Sequence, residues 1–408
     1  MKVALIASPY PLEEIPTVPL GLSYVAAAFE AAGAEVRIFD YVINPYSPAH
    51  LKARLDAFQP DVVGANSVTM NFPGAADIIT TVKTHNPDII TMMGGPHVSF
   101  DVVNTLQQYP CIDMIVIGEA EATIADLVPV LKKDRFFWKH VQGIAFCEDG
   151  QVVVTEPRPF IEDLDTLPLP ARHLLPISRY RALGYPPSMI TSRGCPYACI
   201  FCLGRRMVGK RPRQRRASYI VDEIERILSY GFTMINIADD LFTADKEKVR
   251  QVCAEVGKRG LRFIWTAFAR VNTVDRETLE LMKRAGCQWI SFGLETGNAE
   301  MLKRIKKAAT LDQARQAVQL CKDAGIHPHA SFVVGLPGES PETLEETMTF
   351  AEELGIDYGF HFLAPFPGTT VMEKRERYDL EILTFDWSRY DANSPVTRTS
   401  RLSPEKAD

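Results

Sequence analysis

The sequence lacks what would place it in a membrane, outside the cell or along a polyanion. No apolar run approaches the ~20 residues needed to span a bilayer. Met1–Ser8 is too short for the apolar segment of a signal peptide and reads as a strand. Cysteine is sparse, 8 in 408 residues. Five of them, Cys111, Cys147, Cys253, Cys287 and Cys321, are scattered among apolar runs, so buried free thiols rather than a disulfide framework are expected. The expected compartment is the reducing cytoplasm. Net charge is −6, which excludes a general polyanion binder but leaves room for a local basic patch. At 46% hydrophobic and 24% charged the chain is an ordinary globular one. Its length suits two or three domains.

The other three cysteines stand together. Cys195, Cys199 and Cys202 form C-x3-C-x2-C within TSRGCPYACIFCLGRR, just after the short apolar run Ser188–Thr191. At this cysteine frequency the spacing arises by chance roughly three times in a thousand such chains. Thiolates ligate iron–sulfur clusters and zinc. No further Cys or His lies between Cys202 and Cys253, whereas zinc sites usually close with a fourth ligand near by. Three ligands suggest a 4Fe–4S cluster with one iron open. Zinc closed by a distant ligand is the alternative.

Residues 1–135 alternate strands and helices. Val3–Ala7, Val36–Phe39, Val62–Ala65, Ile89–Met93 and Met114–Ile117 have strand length, with helical patterns such as Gly21–Ala32 and Ala75–Thr84 between them. This predicts a doubly wound, flavodoxin-like parallel sheet with a ligand crevice at the carboxyl ends of its strands. Three loops lie at those ends: Pro9–Pro19, Asn66–Phe72 and Gly94-Gly95-Pro96-His97. Paired glycines allow close backbone approach, although a Gly-Gly turn is often only a turn. Residues 136–187 read as a hairpin around Glu148-Asp149-Gly150 and then a Pro-rich, extended connector. From 188 to 375 the alternation resumes. Met189–Thr191, Met234–Ile237, Phe263–Phe268, Trp289–Gly293, Ala330–Val334 and Phe360–Leu363 are strand candidates. Six such units predict a partial, open TIM-like (β/α)6 barrel, whose functional groups sit at the carboxyl ends of strands.

C-x3-C-x2-C with an aromatic, Phe201, before the third cysteine resembles the signature of the radical SAM superfamily. VPLGLSYVAA, VVGANSVT, MGGPHVSF and VIGEAEATIADL resemble the cobalamin-binding domain that precedes many such barrels. The resemblance is to the group containing the anaerobic Mg-protoporphyrin ester cyclase and several C- and P-methyltransferases. It implies a cluster on Cys195, Cys199 and Cys202 whose open iron chelates S-adenosylmethionine (SAM). It places SAM against Phe201, the Asp239-Asp240 turn, Arg270 at its carboxylate, Glu295 in FGLETGN at its ribose, and Val334-Gly335 beside its adenine. It assigns Gly94, Gly95, His97 and Glu119 to cobalamin. Thr69, Met70 and Asn71, in the loop Ser67–Asn71, are expected to face the lower side of cobalt. The D-x-H-x-x-G motif that supplies a cobalt-ligating imidazole elsewhere is absent. Cobalamin is therefore expected to bind without a protein imidazole on the metal.

Arg205–Arg216 holds seven positive charges. It contains no aromatics to stack on bases, so a role beside an anionic cluster is expected in preference to nucleic-acid binding. The polar tail, 376–408, resembles a segment that in related proteins continues into further helices. Either a shortened chain or an open substrate side is expected. The expected function is methylation of an unactivated carbon, or of phosphorus, in a small molecule, with an external one-electron donor such as flavodoxin or ferredoxin. Cobalamin-assisted oxidation, cyclisation or rearrangement is the alternative, and a cobalamin sensor with a vestigial barrel is a third reading.

Overall fold

The computed structural model describes residues 1–11, 17–133 and 135–403. The expected Pro9–Pro19 loop lies partly outside them, as does the tail from Pro404. The chain forms two compact units, Met1–Tyr185 and Pro186–Asp408. Among the described residues no helix is long and apolar enough to cross a membrane.

The first unit is built on seven strands: β1 (Lys2–Ala7), β2 (Glu35–Asp40), β3 (Val62–Asn66), β4 (Ile90–Gly94), β5 (Met114–Val116), β6 (Ile144–Glu148) and β7 (Gln151–Val154). Their order is β2-β1-β3-β4-β5-β6-β7, and the first five are parallel. Helices such as Leu20–Ala31 and Phe72–His85 connect them. Five consecutive residues of β1 are buried, as expected of a strand covered on both faces. The strand order reverses at β1, which has β2 on one side and β3 on the other. A doubly wound sheet opens its crevice at such a point.

Strands β6 and β7 add an antiparallel hairpin to this sheet. Its turn places Asp149 and Gly150 at positive φ (49° and 77°), the pairing a two-residue hairpin favours. The Pro-rich stretch that follows is not wholly extended. It contains the short helical turns Leu164–Thr166 and Arg172–Leu174 and the helix Ile177–Ala182. Tyr180, fully buried, donates a 2.7 Å hydrogen bond to Asp40 Oδ2 at the end of β2. That bond offsets part of the cost of burying the carboxylate.

The second unit contains β8 (Ser188–Met189), β9 (Ser192–Arg193), β10 (Arg213–Gln214), β11 (Met234–Ile237), β12 (Ile264–Ala269), β13 (Cys287–Glu295), β14 (His327–Val334), β15 (Asp357–Phe362), β16 (Glu381–Ile382) and β17 (Thr397–Arg398). Six of them form one parallel sheet in the order β15-β14-β13-β12-β11-β8. This is the expected partial barrel. Amphipathic helices cover one face, among them Ala217–Ser229, Arg276–Arg284 and Leu311–Ala324. Several start at side-chain caps. Asp275 accepts from Thr278 N, and Thr310 and Gln313 form a capping box.

Candidate functional site

The chain leaves β8 and enters a loop carrying the three cysteines. Antiparallel pairing of β9 with β10, Arg193 opposite Arg213, clasps the base of this loop. Gly194 sits at φ +110°, and a Cβ there would lie 2.5 Å from the Arg211 carbonyl oxygen, so this close crossing requires glycine. Inside the loop, Cys195 N donates to Gly209 O at 3.1 Å and Cys202 N to Cys199 O at 3.3 Å. Ile200 N reaches across to Ile305 O at 3.1 Å. The Ile200 side chain packs in a core with Met301, Ile305, Leu336 and Leu363, and Phe201 lies against the same core. The loop is thus held by backbone bonds and by apolar anchoring, and Cys202 Sγ accepts from Gly204 N at 3.4 Å.

Those thiols are free. Cys195 and Cys199 are half-buried and Cys202 is exposed. Burial pushes the Cys195 thiol up, and the neighbouring Asp240 and Cys199 push the same way. Loading a metal must therefore displace protons. Among the described residues no three His, Cys, Asp or Glu side chains converge on a single-ion position.

Arg270, at the end of β12, is buried beside this loop. Its guanidinium stacks 3.7 Å above the Tyr197 ring, and Nη1 lies 3.6 Å from Cys199 Sγ. Its Nε and Nη2 are buried with no hydrogen-bond partner among the described residues. A fixed cation with unused donors is a ready site for an anion such as a carboxylate. Three free thiols and this guanidinium form a donor set that fits a thiolate-bound cluster with an anionic ligand beside it.

The Asp239-Asp240 turn divides its labour. Asp239 is buried and accepts from Thr191 N (2.6 Å), Thr191 Oγ1 (2.5 Å) and Ser192 Oγ (2.7 Å). Burial raises its pKa to about 6 even against these bonds. Both its oxygens serve the base of the cysteine loop. Asp240 is exposed and accepts from Gly194 N at 3.4 Å. Its Oδ1 would lie 2.8 Å from a Cβ at position 204.

Glu295, at the end of β13, is a non-glycine residue at φ +71°. Its Oε1 accepts from Lys307 Nζ at 2.5 Å, with both side chains about nine-tenths buried. Val334 is buried and Gly335 takes φ +86° as the chain leaves β14. Gly335 N donates to Glu339 Oε2 at 2.5 Å. Glu339 is fully buried, and burial pushes its carboxyl up to about 7. Lys307 and Glu339 escape sequence reasoning. The signals were a basic run, KRIKK, and the E of GLPGE, and neither reveals a partner.

The basic run is partly internal. Arg213 is buried and donates to Val208 O at 2.6 Å, and Arg215 is buried over the Tyr219 ring. Arg206 pairs with Glu373 at 2.7 Å.

In the first unit, the loops after β3 and β4 meet. Ser67 N donates to Gly94 O at 2.9 Å. Gly95, at φ +107°, passes so close to the Ser67 carbonyl that a Cβ would clash with it. A Cβ on Gly94 would make ordinary contact, 3.5 Å from Val116 O. Asn71 Oδ1 accepts from Val68 N at 2.9 Å and shapes the loop. His97 is fully buried, stacked on Phe72 at 4.1 Å, with Nδ1 3.4 Å from Thr69 Oγ1. Burial lowers its pKa to about 4, so the imidazole is neutral at pH 7. Thr69, Asn71, Gly95 and His97 are thus brought together, and Met70 beside them is half-buried. Glu119 instead accepts from Ile161 N at 2.8 Å in the Pro-rich stretch. Ser8 and Ser67, just past the ends of β1 and β3, carry fully buried hydroxyls with no partner among the described residues. Unused hydroxyls at the strand-order reversal fit a polar ligand there.

A thiol-bearing open barrel and a doubly wound sheet with such a crevice define a two-module, cofactor-using protein. The Radical SAM superfamily pattern matches residues 189–351, and the B12 binding domain pattern matches residues 14–128. An uncharacterized methyltransferase of Pyrococcus horikoshii is 34% identical over 391 residues, 95% of this chain and 84% of its own length. The anaerobic magnesium-protoporphyrin IX monomethyl ester cyclase of Rubrivivax gelatinosus is 32% identical over 397 residues, 94% of this chain and 70% of its own. The fold is shared with the radical S-adenosylmethionine methyltransferase TsrM of Kitasatospora setae, solved with cobalamin and a [4Fe-4S] cluster bound. That match has TM-score 0.82 and 19% identity, and covers 99% of this chain and 84% of the other. The chain belongs to the radical SAM superfamily and carries a B12-binding domain in front of its radical SAM domain.

Proposed function

We propose that the protein is a cobalamin-dependent radical SAM methyltransferase acting on an unactivated carbon, or on phosphorus, of a small molecule. The observation that carries the reading is the cysteine loop itself. Three free thiols are held by backbone bonds, with the Arg270 guanidinium and its unused donors beside them. In this reading Cys195, Cys199 and Cys202 hold the cluster. Arg270 takes the SAM carboxylate, Glu295 the ribose, and Val334-Gly335 and Phe201 flank the nucleoside. Asp239 keeps the loop entry in place, and Asp240 is the carboxylate of that turn that faces outward. Ser67–Asn71 and Gly94–His97 line the corrinoid crevice, with His97 supporting Thr69 from behind.

When bound, the cluster supplies the electron that cleaves SAM, and cobalamin carries the methyl group to the substrate. The protein's part is to orient these groups and exclude water around them. A cluster held by Cys195, Cys199 and Cys202 would draw its electron from an external one-electron donor such as flavodoxin or ferredoxin. After anaerobic reconstitution, turnover is expected to yield both S-adenosylhomocysteine and 5′-deoxyadenosine. 5′-Deoxyadenosine alone would replace methyl transfer with radical oxidation or cyclisation, a second reading that the 32% identity to the cyclase supports. Neither product, with cobalamin retained, would mean a sensor.

A further inference from the structure

The segment Ile305–Ala308, between the helices Ala299–Arg304 and Leu311–Ala324, ties together three strand-end elements. Ile305 O accepts from Ile200 N, between the second and third cysteines. Ala308 O accepts from Asn272 Nδ2 at 3.1 Å, two residues beyond Arg270. Between them Lys307 sends its ammonium to Glu295 Oε1 at 2.5 Å. The backbone here is unusual. Lys306 and Ala308 stand at φ +57° and +53°, and Glu295 itself at +71°. Left-handed conformations cost of order 1–3 kcal/mol each in non-glycine residues and persist where the surroundings impose them.

Space for the ion pair is also built in. A Cβ at Gly293 would sit 2.5 Å from Glu295 Oε1 and 3.1 Å from Lys307 Nζ. A carboxylate this buried needs a countercharge. Lys307 provides it on Oε1, and among the described residues no donor is bonded to Oε2. A pair that served stability alone would gain from filling that second oxygen.

We propose that Lys307 is a positioning residue for SAM: it fixes Glu295 so that Oε2 faces the ribose hydroxyls. The inference rests on the SAM-site reading of Glu295 given above. Its test is a double-mutant cycle on the anaerobically reconstituted full chain. SAM binding is measured by equilibrium dialysis, with iron content and melting temperature as parallel readouts.

Lys307→Met and Glu295→Gln are each expected to weaken SAM binding on the order of tenfold or more. The double variant, which buries no unpaired charge, is expected to keep iron and to bind SAM no worse than Glu295→Gln alone. Such non-additivity shows that Lys307 acts through Glu295. Wild-type affinity in Lys307→Met, or independent losses that multiply in the double variant, would overturn the inference. Should Lys307→Met fail to fold, the double variant decides: affinity equal to that of Glu295→Gln supports the role, and a further loss overturns it. Wild-type protein that loads iron and sulfide yet binds no SAM would instead overturn the SAM-site reading, and the inference with it.

Discussion

The Asp239 carboxylate, at the end of β11, accepts the Thr191 backbone N–H at 2.6 Å and the Thr191 hydroxyl at 2.5 Å. Through this pair the strand next to β8 grips the chain four residues before the first cysteine. The barrel therefore shapes the base of the cysteine loop.

Asp239→Ala leaves the Thr191 N–H and two hydroxyls buried without their acceptor. Each such group costs about 1–3 kcal/mol. A loss of about 3 kcal/mol or more in urea unfolding is expected, together with lower iron retention after reconstitution. Unchanged iron retention would show that the loop holds its shape without this anchor.

Arg270→Lys keeps the charge but gives up the planar stack on Tyr197 and the fork of donors. Lysine is a point charge on a flexible stem. SAM affinity, measured by anaerobic equilibrium dialysis, is expected to fall roughly tenfold, the range of one charge-assisted hydrogen bond. Iron content is expected to stay at the wild-type level, because the arginine ligates nothing.

His97 makes the first unit sensitive to acid. Its folded pKa is about 4, lowered by burial from an ordinary 6.5. Between these values the unfolded chain binds the proton and the folded chain does not. The stabilisation is present above pH 6.5 and is lost as pH falls towards 4, a change of about 3 kcal/mol. His97→Phe retains an aromatic ring for the stack on Phe72 and removes the titration. Its urea midpoint is expected to fall less between pH 7 and pH 4.5 than that of wild type. Equal slopes would mean that His97 is hydrated in solution.

Both sheets were legible because strands alternate with helices; β1 is buried on both faces whereas β14 buries alternate residues, and strand bounds shift by only a few residues. The cysteine motif was legible because its three residues lie close together in sequence. What escaped the sequence depends on which groups face each other across the fold. Asp239 was expected at a ligand, yet its oxygens turn to Thr191 and Ser192. Arg213 and Arg215 sit in a basic run yet are buried, Arg213 in the β9–β10 clasp and Arg215 over the Tyr219 ring. Lys307 stands 12 residues from Glu295, and two left-handed residues beside it shape the turn that carries it there. Gly95 suggested a ligand at the backbone, but its nearest constraint is the Ser67 carbonyl within the protein. Spacing along the chain does not encode such pairings.

In the proposed function Cys195, Cys199 and Cys202 hold an iron–sulfur cube in a chain that also binds a corrinoid. Iron, acid-labile sulfide, zinc and cobalt should be measured in the full chain purified without air, beside Cys199→Ala. Iron and sulfide in equal amounts with cobalt are expected in the wild type, and loss of iron and sulfide with cobalt retained in Cys199→Ala. Zinc in place of iron and sulfide in the wild type, or iron and sulfide undiminished in Cys199→Ala, would contradict the proposal.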